Sequence, residues 1–216
     1  MSISVIIADD HAVVRDGLRL LIETQCDMKV IDEASNGREA VRQALRTNPH
    51  IVVMDLAMPE LNGVEATRQI PENCPATKVI ILSMHSSSEH VFQALKAGAH
   101  GYLLKESAGA EVINAIRSVH SGKRYLSEKI GDQMIDEYIS HRGIVESTSP
   151  LLKLSSRERE ILQLVAEGKS SAYIAQTLFI SPKTVETYRS RLMQKLCIND
   201  LPSLIKFAIQ HGITSL

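Results

Sequence analysis

Five short apolar runs, rich in β-branched residues, recur across the first 120 residues, at 3–8, 30–31, 51–54, 79–82 and 102–104. Helical patterns separate them. Val13, Leu18, Leu21 and Ile22 mark the first, and Ala40, Val41, Ala44 and Leu45 mark the second, which opens with "SNGREA". Shorter ones follow near 63–70, 89–97 and 110–119. A strand that is apolar on both faces must be covered on both faces, which a parallel sheet sandwiched by helices achieves. Strand–helix alternation repeated five times predicts a doubly wound, five-stranded parallel α/β sheet.

Composition removes several alternatives. No run approaches the ~18 apolar residues of a membrane span, and "MSISVIIADDH" has no basic n-region and meets two acids early, unlike a secretory signal. A cytoplasmic protein with no membrane partner is the expectation. Cys26, Cys74 and Cys197 are odd in number, far apart and without a CxxC pair, which argues against a disulfide framework or zinc site. The formal net charge of −1 hides an asymmetry. Residues 151–216 hold 9 Lys+Arg and 5 Asp+Glu, so +4. The remainder holds 24−9=15 basic and 25−5=20 acidic residues, so −5. Two modules with different partners are expected.

The division reads as 1–121, a linking segment 122–150, and 151–216. Gly122, Gly143, Pro150 and "ESTSP" are linker-like. Within the segment, Ile130, Met134 and Tyr138 recur every four residues, predicting an amphipathic helix that docks on one of the modules. The last segment is helical throughout. "LSSREREILQLVAEG" carries Ser155 with Glu158 three residues later, a capping box, and closes on Gly168. "SSAYIAQTLF" is a short second helix. "ISPKTVETYRSRLMQKL" has Ser181 as N-cap and Pro182 at the first position, and "DLPSLIKFAIQHG" is capped by Asp200.

Why a buried apolar strand, Ile51 to Met54, runs straight into a carboxylate, Asp55, is the functional question. Open parallel sheets bind ligands beyond the carboxyl ends of their strands. At those ends stand Asp9 and Asp10, Asp55, Ser83 and Lys105. Three crowded carboxylates raise a pKa or hold a cation, and an all-oxygen donor set favours Mg²⁺. A cation beside an aspartate and a lysine suits phosphoryl chemistry, with the aspartate as nucleophile forming an acyl phosphate.

"IADDH", "DLAMPELNG", "ILSMH" and "GYLLKES", four motifs in order over about residues 3–121, resemble the receiver domain of two-component response regulators. The resemblance implies the flavodoxin-like strand order 2-1-3-4-5, with Asp55 as phospho-acceptor. Asp9, Asp10, Asp55 and the carbonyl of Ala57 would hold Mg²⁺. Lys105 would contact the phosphoryl group, and Ser83 and Tyr102 would be the switch pair. Many receivers carry proline after the lysine, where this chain has Glu106.

In the basic segment, the second and third helices have helix-turn-helix spacing. On the third, Val185, Leu192 and Leu196 share one face. Lys183, Thr187, Ser190 and Gln194 lie opposite, flanked by Arg191 and Lys195, a polar and basic face suited to a major groove. "LSSREREIL", "IAQTLFIS" and "KTVETYRSRL" resemble the LuxR-type helix-turn-helix over roughly residues 150–214. Ser171–Ala172–Tyr173 departs from its common polar-basic triplet, and Tyr188 stands where histidine is common. The candidate DNA contacts are Lys183, Thr184, Thr187, Tyr188, Ser190, Arg191 and Lys195.

A receiver followed by this module is the NarL/FixJ type of response regulator. That resemblance implies a sensor histidine kinase upstream, double-stranded DNA half-sites downstream and a homodimer when phosphorylated or DNA-bound. Phosphorylation would change domain arrangement or dimerisation, making a transcriptional regulator rather than an enzyme. An aspartate-nucleophile phosphatase on a similar sheet wants a second aspartate two residues after the nucleophile, where this chain has Ala57. A transcription factor whose receiver works without phosphate is the alternative, although it has no need of Asp10, Asp55 and Lys105 together.

Overall fold

The computed structural model describes residues 2–140 and 150–214; most of the "ESTSP" stretch and Gly143 lie outside the described residues. β1 (Ile3–Ala8), β2 (Met28–Ala34), β3 (Ile51–Asp55), β4 (Lys78–Ser83), β5 (Gly101–Leu104) and β6 (Tyr125–Leu126) form one sheet, ordered β2-β1-β3-β4-β5-β6. Every pairing is parallel. The expected order of the first five strands holds, and their number is corrected to six. Without β6, β5 would leave a row of backbone donors and acceptors unpaired at the edge. Instead Tyr125 N–H donates to the His100 carbonyl at 3.1 Å and Ser127 N–H to the Tyr102 carbonyl at 3.0 Å. Two residues carry too little alternation to be read as a strand from sequence.

Helices α1 (Ala12–Glu23) and α5 (Ala108–His120) cover one face of the sheet. Leu18 and Ile22, with Val112, Ile116 and Val119, close a core over Val5, Ile7, Val53 and Leu82. Val13 and Leu21, expected to share the buried stripe of α1, instead face solvent, because only the turn of Leu18 and Ile22 meets the sheet. Helices α2 (Gly37–Thr47), α3 (Gly63–Asn73) and α4 (Ser88–Lys96) cover the other face. The helix expected in the linking segment is α6 (Glu128–Ser140). It lies beside α4, with Ile130 buried in that core and Met134 packed against it. The third residue of its spacing, Tyr138, has a side chain outside the described set.

After a 3₁₀ turn at Pro150–Lys153, helices α7 (Ser156–Ala166), α8 (Ser171–Leu178), α9 (Pro182–Leu196) and α10 (Leu201–Gln210) surround a core of their own, built on Ile161, Leu164, Ile174, Val185, Leu192, Leu204 and Ala208. Three of the four starts are capped as the sequence predicts, and α8 is capped by Ser170, which accepts from Tyr173 N–H. Ser155 and Glu158 form a reciprocal capping box, Ser181 accepts from Thr184 N–H at 3.1 Å, and Asp200 accepts from Ser203 N–H at 2.8 Å. This bundle docks on the first domain. Arg159 and Glu160 on α7 face Glu65, Arg38 and Gln69, while Gln163 and Glu167 face the loop between β3 and α3.

Candidate functional sites

The register of the sheet brings the strand ends together. Ala8 pairs with Met54, Asp55 with Leu82 and Ser83 with Leu104, so β1, β3, β4 and β5 stop at one edge. The residue after each stop is anchored by its backbone: Asp9 N–H to the Ala34 carbonyl at 3.1 Å, and Lys105 N–H to the Ser83 carbonyl at 2.8 Å. Asp9 and Asp55 are almost fully buried there. The Lys105 ammonium sits between them, Nζ lying 2.8 Å from Asp9 Oδ2 and 2.9 Å from Asp55 Oδ2.

The charges are poised by this packing. Burial, and then the neighbouring Asp9 charge, push the Asp55 carboxyl up to about 6, against the opposing pull of Lys105 and the Ala57 N–H. For Lys105 burial opposes the charge, but hydrogen bonds to Asp9 and Asp55 outweigh it and hold the ammonium above its ordinary value. The turn after β3 needs a glycine. A Cβ on Gly63 would stand 2.1 Å from the Asp55 carbonyl oxygen.

Ligand atoms of Asp9, Asp10, His11 and Asp55 all lie within 4.8 Å of one another. Three carboxylates in that space match the hard-oxygen preference of a divalent cation such as Mg²⁺. His11 joins the group unforeseen by sequence reasoning. Its Nδ1 lies 2.7 Å from Asp10 Oδ1 and its backbone N–H donates to Asp9 Oδ1 at 2.9 Å. The position directly after two acids was the available signal. Of Ala57, the structure records the N–H donating to Asp55 Oδ1 at 3.4 Å.

Ser83 and Tyr102 meet at His85. The Ser83 hydroxyl accepts from the His85 N–H at 2.9 Å, and the Tyr102 hydroxyl donates to the His85 carbonyl at 2.7 Å. Tyr102 is fully buried, and burial pushes its phenol up to about 12. The two residues therefore share one loop segment, β4 to α4, and the Ser83 hydroxyl beside the phenol partly offsets the effect of burial.

In the helical bundle, α8 and α9 cross through a turn at which Phe179 takes a left-handed φ of 54°. Lys183, Thr187, Ser190 and Arg191 project from α9 to solvent, and Thr184 is half-buried. Two candidates are drawn elsewhere. Tyr188 is half-buried against the bundle core, and Lys195 Nζ lies 2.7 Å from Glu158 Oε2 on α7. Glu186 is held by Ser171 of α8 and by Arg189, 3.6 Å away.

Residues 5–117 match the family model of the response regulator receiver domain, and residues 152–208 match that of the LuxR family of bacterial regulatory proteins. This chain belongs to the two-component response regulators of the NarL/FixJ type. As such a regulator it is a phosphorylation-switched, DNA-binding transcriptional regulator, with a histidine kinase and DNA as its partner classes. It is 38% identical to the oxygen regulatory protein NreC of Staphylococcus carnosus over 212 residues, 97% of this chain and 98% of that one. Among solved structures it resembles a LuxR-family response regulator from Aurantimonas, with 38% identity and TM-score 0.62 over 64% of this chain and 99% of that one. It also resembles the response regulator RcsB in complex with DNA, with 25% identity and TM-score 0.59 over 96% and 98% of the two chains. No helix among the described residues is long and apolar enough to cross a membrane.

Proposed function

We propose that Asp55 is the residue of this response regulator that receives the phosphoryl group. The observation that carries the reading is Lys105 within 3 Å of both Asp9 and Asp55 at the carboxyl edge of the sheet. In the step, an Asp55 carboxylate oxygen forms a P–O bond while the P–N bond to the kinase histidine breaks. The imidazole leaves with the bonding electrons and takes up a proton. Lys105 moves from a carboxylate partner to the incoming phosphoryl oxygens, limiting the charge concentrated at the edge. Asp9, Asp10, Asp55 and the Ala57 carbonyl are the residues that would hold Mg²⁺, which when bound supplies charge neutralisation for the transferring group.

An acyl phosphate adds roughly −1.5 to −2 charge at one point. Ser83 moves toward it, and Tyr102 and the β4–α4 loop repack with it, because both are bonded to His85. The chain is a self-modified switch in the cytoplasm, not a turnover enzyme. It divides into a receiver at 1–121, a connection at 122–150 and an output domain at 151–216. Lys183, Thr184, Thr187, Ser190 and Arg191 are the DNA contacts of a homodimer on paired half-sites, with Tyr188 and Lys195 supporting α9 from beside it.

The test is phosphoryl uptake by the native protein and Asp55→Ala from acetyl phosphate, with and without Mg²⁺, weighed as intact chains. A gain of one phosphate that requires both Asp55 and Mg²⁺ is the expected result. No gain in the native protein would sink the reading and favour a receiver that works without phosphate.

A further inference from the structure

Phe179 stands in the turn between α8 and α9, and at 95% exposure it is the most exposed large apolar side chain among the described residues. Its neighbours turn inward: Leu178 is buried in the bundle core and Ile180 packs against it. Phe179 N–H donates to the Gln176 carbonyl at 3.3 Å and Ile180 N–H to the Ala175 carbonyl at 3.0 Å, a closure of α8 that calls for a left-handed residue between them. Phe179 accordingly takes φ 54° and ψ 44°. Arg157 of α7 bonds the Leu178 carbonyl and fixes the same turn. Glycine or asparagine holds that conformation readily, whereas a bulky side chain is strained in it. The position thus combines backbone strain with an apolar ring in water, and almost no packing inside the chain offsets either.

What surrounds the ring fits DNA. Ser181, two residues on, is the N-cap of α9, so Phe179 lies within about 7 Å of the start of that helix. Exposed Lys183 follows in the first turn. No Asp or Glu occurs from Gly168 to Val185, a span that holds Lys169 and Lys183. The next acid, Glu186, is tied back to Ser171 and Arg189. An apolar ring in an acid-free, basic neighbourhood suits a sugar–phosphate backbone, where charged phosphates alternate with the apolar faces of deoxyribose. The first domain supplies no cover, since the bundle faces it with α7 and the end of α10.

We infer that Phe179 is a DNA-contacting residue outside the polar face of α9: its ring lies on a deoxyribose at the lip of the major groove and adds affinity that is neutral to sequence. The inference rests on α9 being the helix that enters the groove. Strain and exposure persist at such a position when the ring acts only once a partner covers it. Glycine, the residue that suits the free protein best at this φ, is therefore the one that binds DNA worse.

The experiment uses the full-length chain with acetyl phosphate and Mg²⁺, and two dye-labelled duplexes, one selected by the native protein from a random pool and one unselected. Affinity is read by anisotropy over a range of salt, with the thermal midpoint and the DNA-free oligomeric state alongside. Phe179→Gly is expected to bind both duplexes more weakly, by about three- to tenfold per subunit for a half-buried ring. Its salt slope should be unchanged, since no phosphate contact is lost, and its thermal midpoint no lower than native. Phe179→Tyr keeps the ring and is expected to bind as the native chain does. Native affinity in Phe179→Gly, a lower thermal midpoint, a smaller salt slope, or a loss confined to the selected duplex overturns the inference. A changed oligomeric state of the DNA-free variant also overturns it, and assigns the ring to a second copy of the chain. The double variant Lys183→Ala/Arg191→Ala tests the underlying reading separately: it should lower the salt slope by about two, and an unchanged slope defeats α9 as the groove helix instead.

Discussion

The ion pair between Glu65 on α3 and Arg159 on α7 offers the sharpest perturbation of the docked state. Glu65 is 2% exposed and Arg159 9%. The guanidinium forks onto the carboxylate, with Nη2 at 3.4 Å from Oε2 and Nε bonded to Oε1. It is also bonded to the Leu151 and Leu154 carbonyls and to Ser156. Removing one partner of a buried pair leaves an unpaired charge and costs about 3–5 kcal/mol, whereas replacing both with apolar side chains is often neutral. Here the charge left behind keeps lesser partners, Arg68 Nε at 3.6 Å from Glu65 Oε2 or the Leu151 and Leu154 carbonyls on Arg159, and it has an escape, since undocking returns it to water. Arg159→Met and Glu65→Leu are therefore expected to open the molecule rather than unfold it, and each loss is capped by the docking free energy. A loss of about 3 kcal/mol lowers the docked-to-open ratio by more than about a hundredfold. The double variant Glu65→Leu/Arg159→Met is expected to be closer to native compactness than either single one, with a coupling of about 0.5–3 kcal/mol. Small-angle scattering, or energy transfer between dyes on the two domains, gives the measurement. Singles as compact as native, or a double as open as the singles, would refute the reasoning.

Further outcomes follow from the sites. Asp55 is raised from 3.8 to about 6 in the fold, so its ionisation weakens the folded state as pH rises from about 4 through 6. Asp55→Asn should raise the thermal midpoint at pH 7.5, by up to about 3 kcal/mol of stability, and by nearly nothing at pH 4; an equal gain at both would count against burial as the cause. For the same reason phosphoryl uptake by native protein should fall as pH drops through about 6, measured as initial rate at fixed Mg²⁺. Gly63→Ala forces a methyl to within 2.1 Å of the Asp55 carbonyl oxygen, and the needed backbone shift should cost about 1–3 kcal/mol and most of the uptake, read by denaturant unfolding and intact mass. Arg191→Ala should weaken binding evenly across DNA sequences and reduce the salt slope by about one. Lys195→Ala, which breaks the contact with Glu158, should lower the thermal midpoint with a smaller effect on DNA affinity.

Much of this was legible in the chain. Apolar runs ending on Asp9, Asp55, Ser83 and Lys105 announce strands and their functional edge together, because a strand buried on both faces can change polarity only where it stops. The caps Ser155, Ser181 and Asp200 were legible for a similar reason: an N-cap bond is made within four residues and needs no distant partner. Residues whose roles depend on another element were not. The amphipathic pattern of α1 includes Val13 and Leu21, but only the sheet selects Leu18 and Ile22. Lys195 looks like a phosphate contact on a helical wheel and is paired with Glu158 in space. Gln163 is an ordinary polar residue within an apolar helix until the 56–62 loop is set against it.

Sequence by itself thus determined the two modules, the first five strands, the carboxylate edge and the helix-turn-helix, since each rests on local periodicity, capping and a motif fixed at a strand end, while the order of those strands followed from the resemblance those motifs carry. The sixth strand, the pairing of Glu65 with Arg159 and the grip of Gln163 and Glu167 on the loop beyond Asp55 were decided only by tertiary structure. They join residues about 90 to 110 positions apart in the docking seam, or complete an edge that exists only once the sheet has formed, and no local pattern encodes which distant surface a polar side chain will meet.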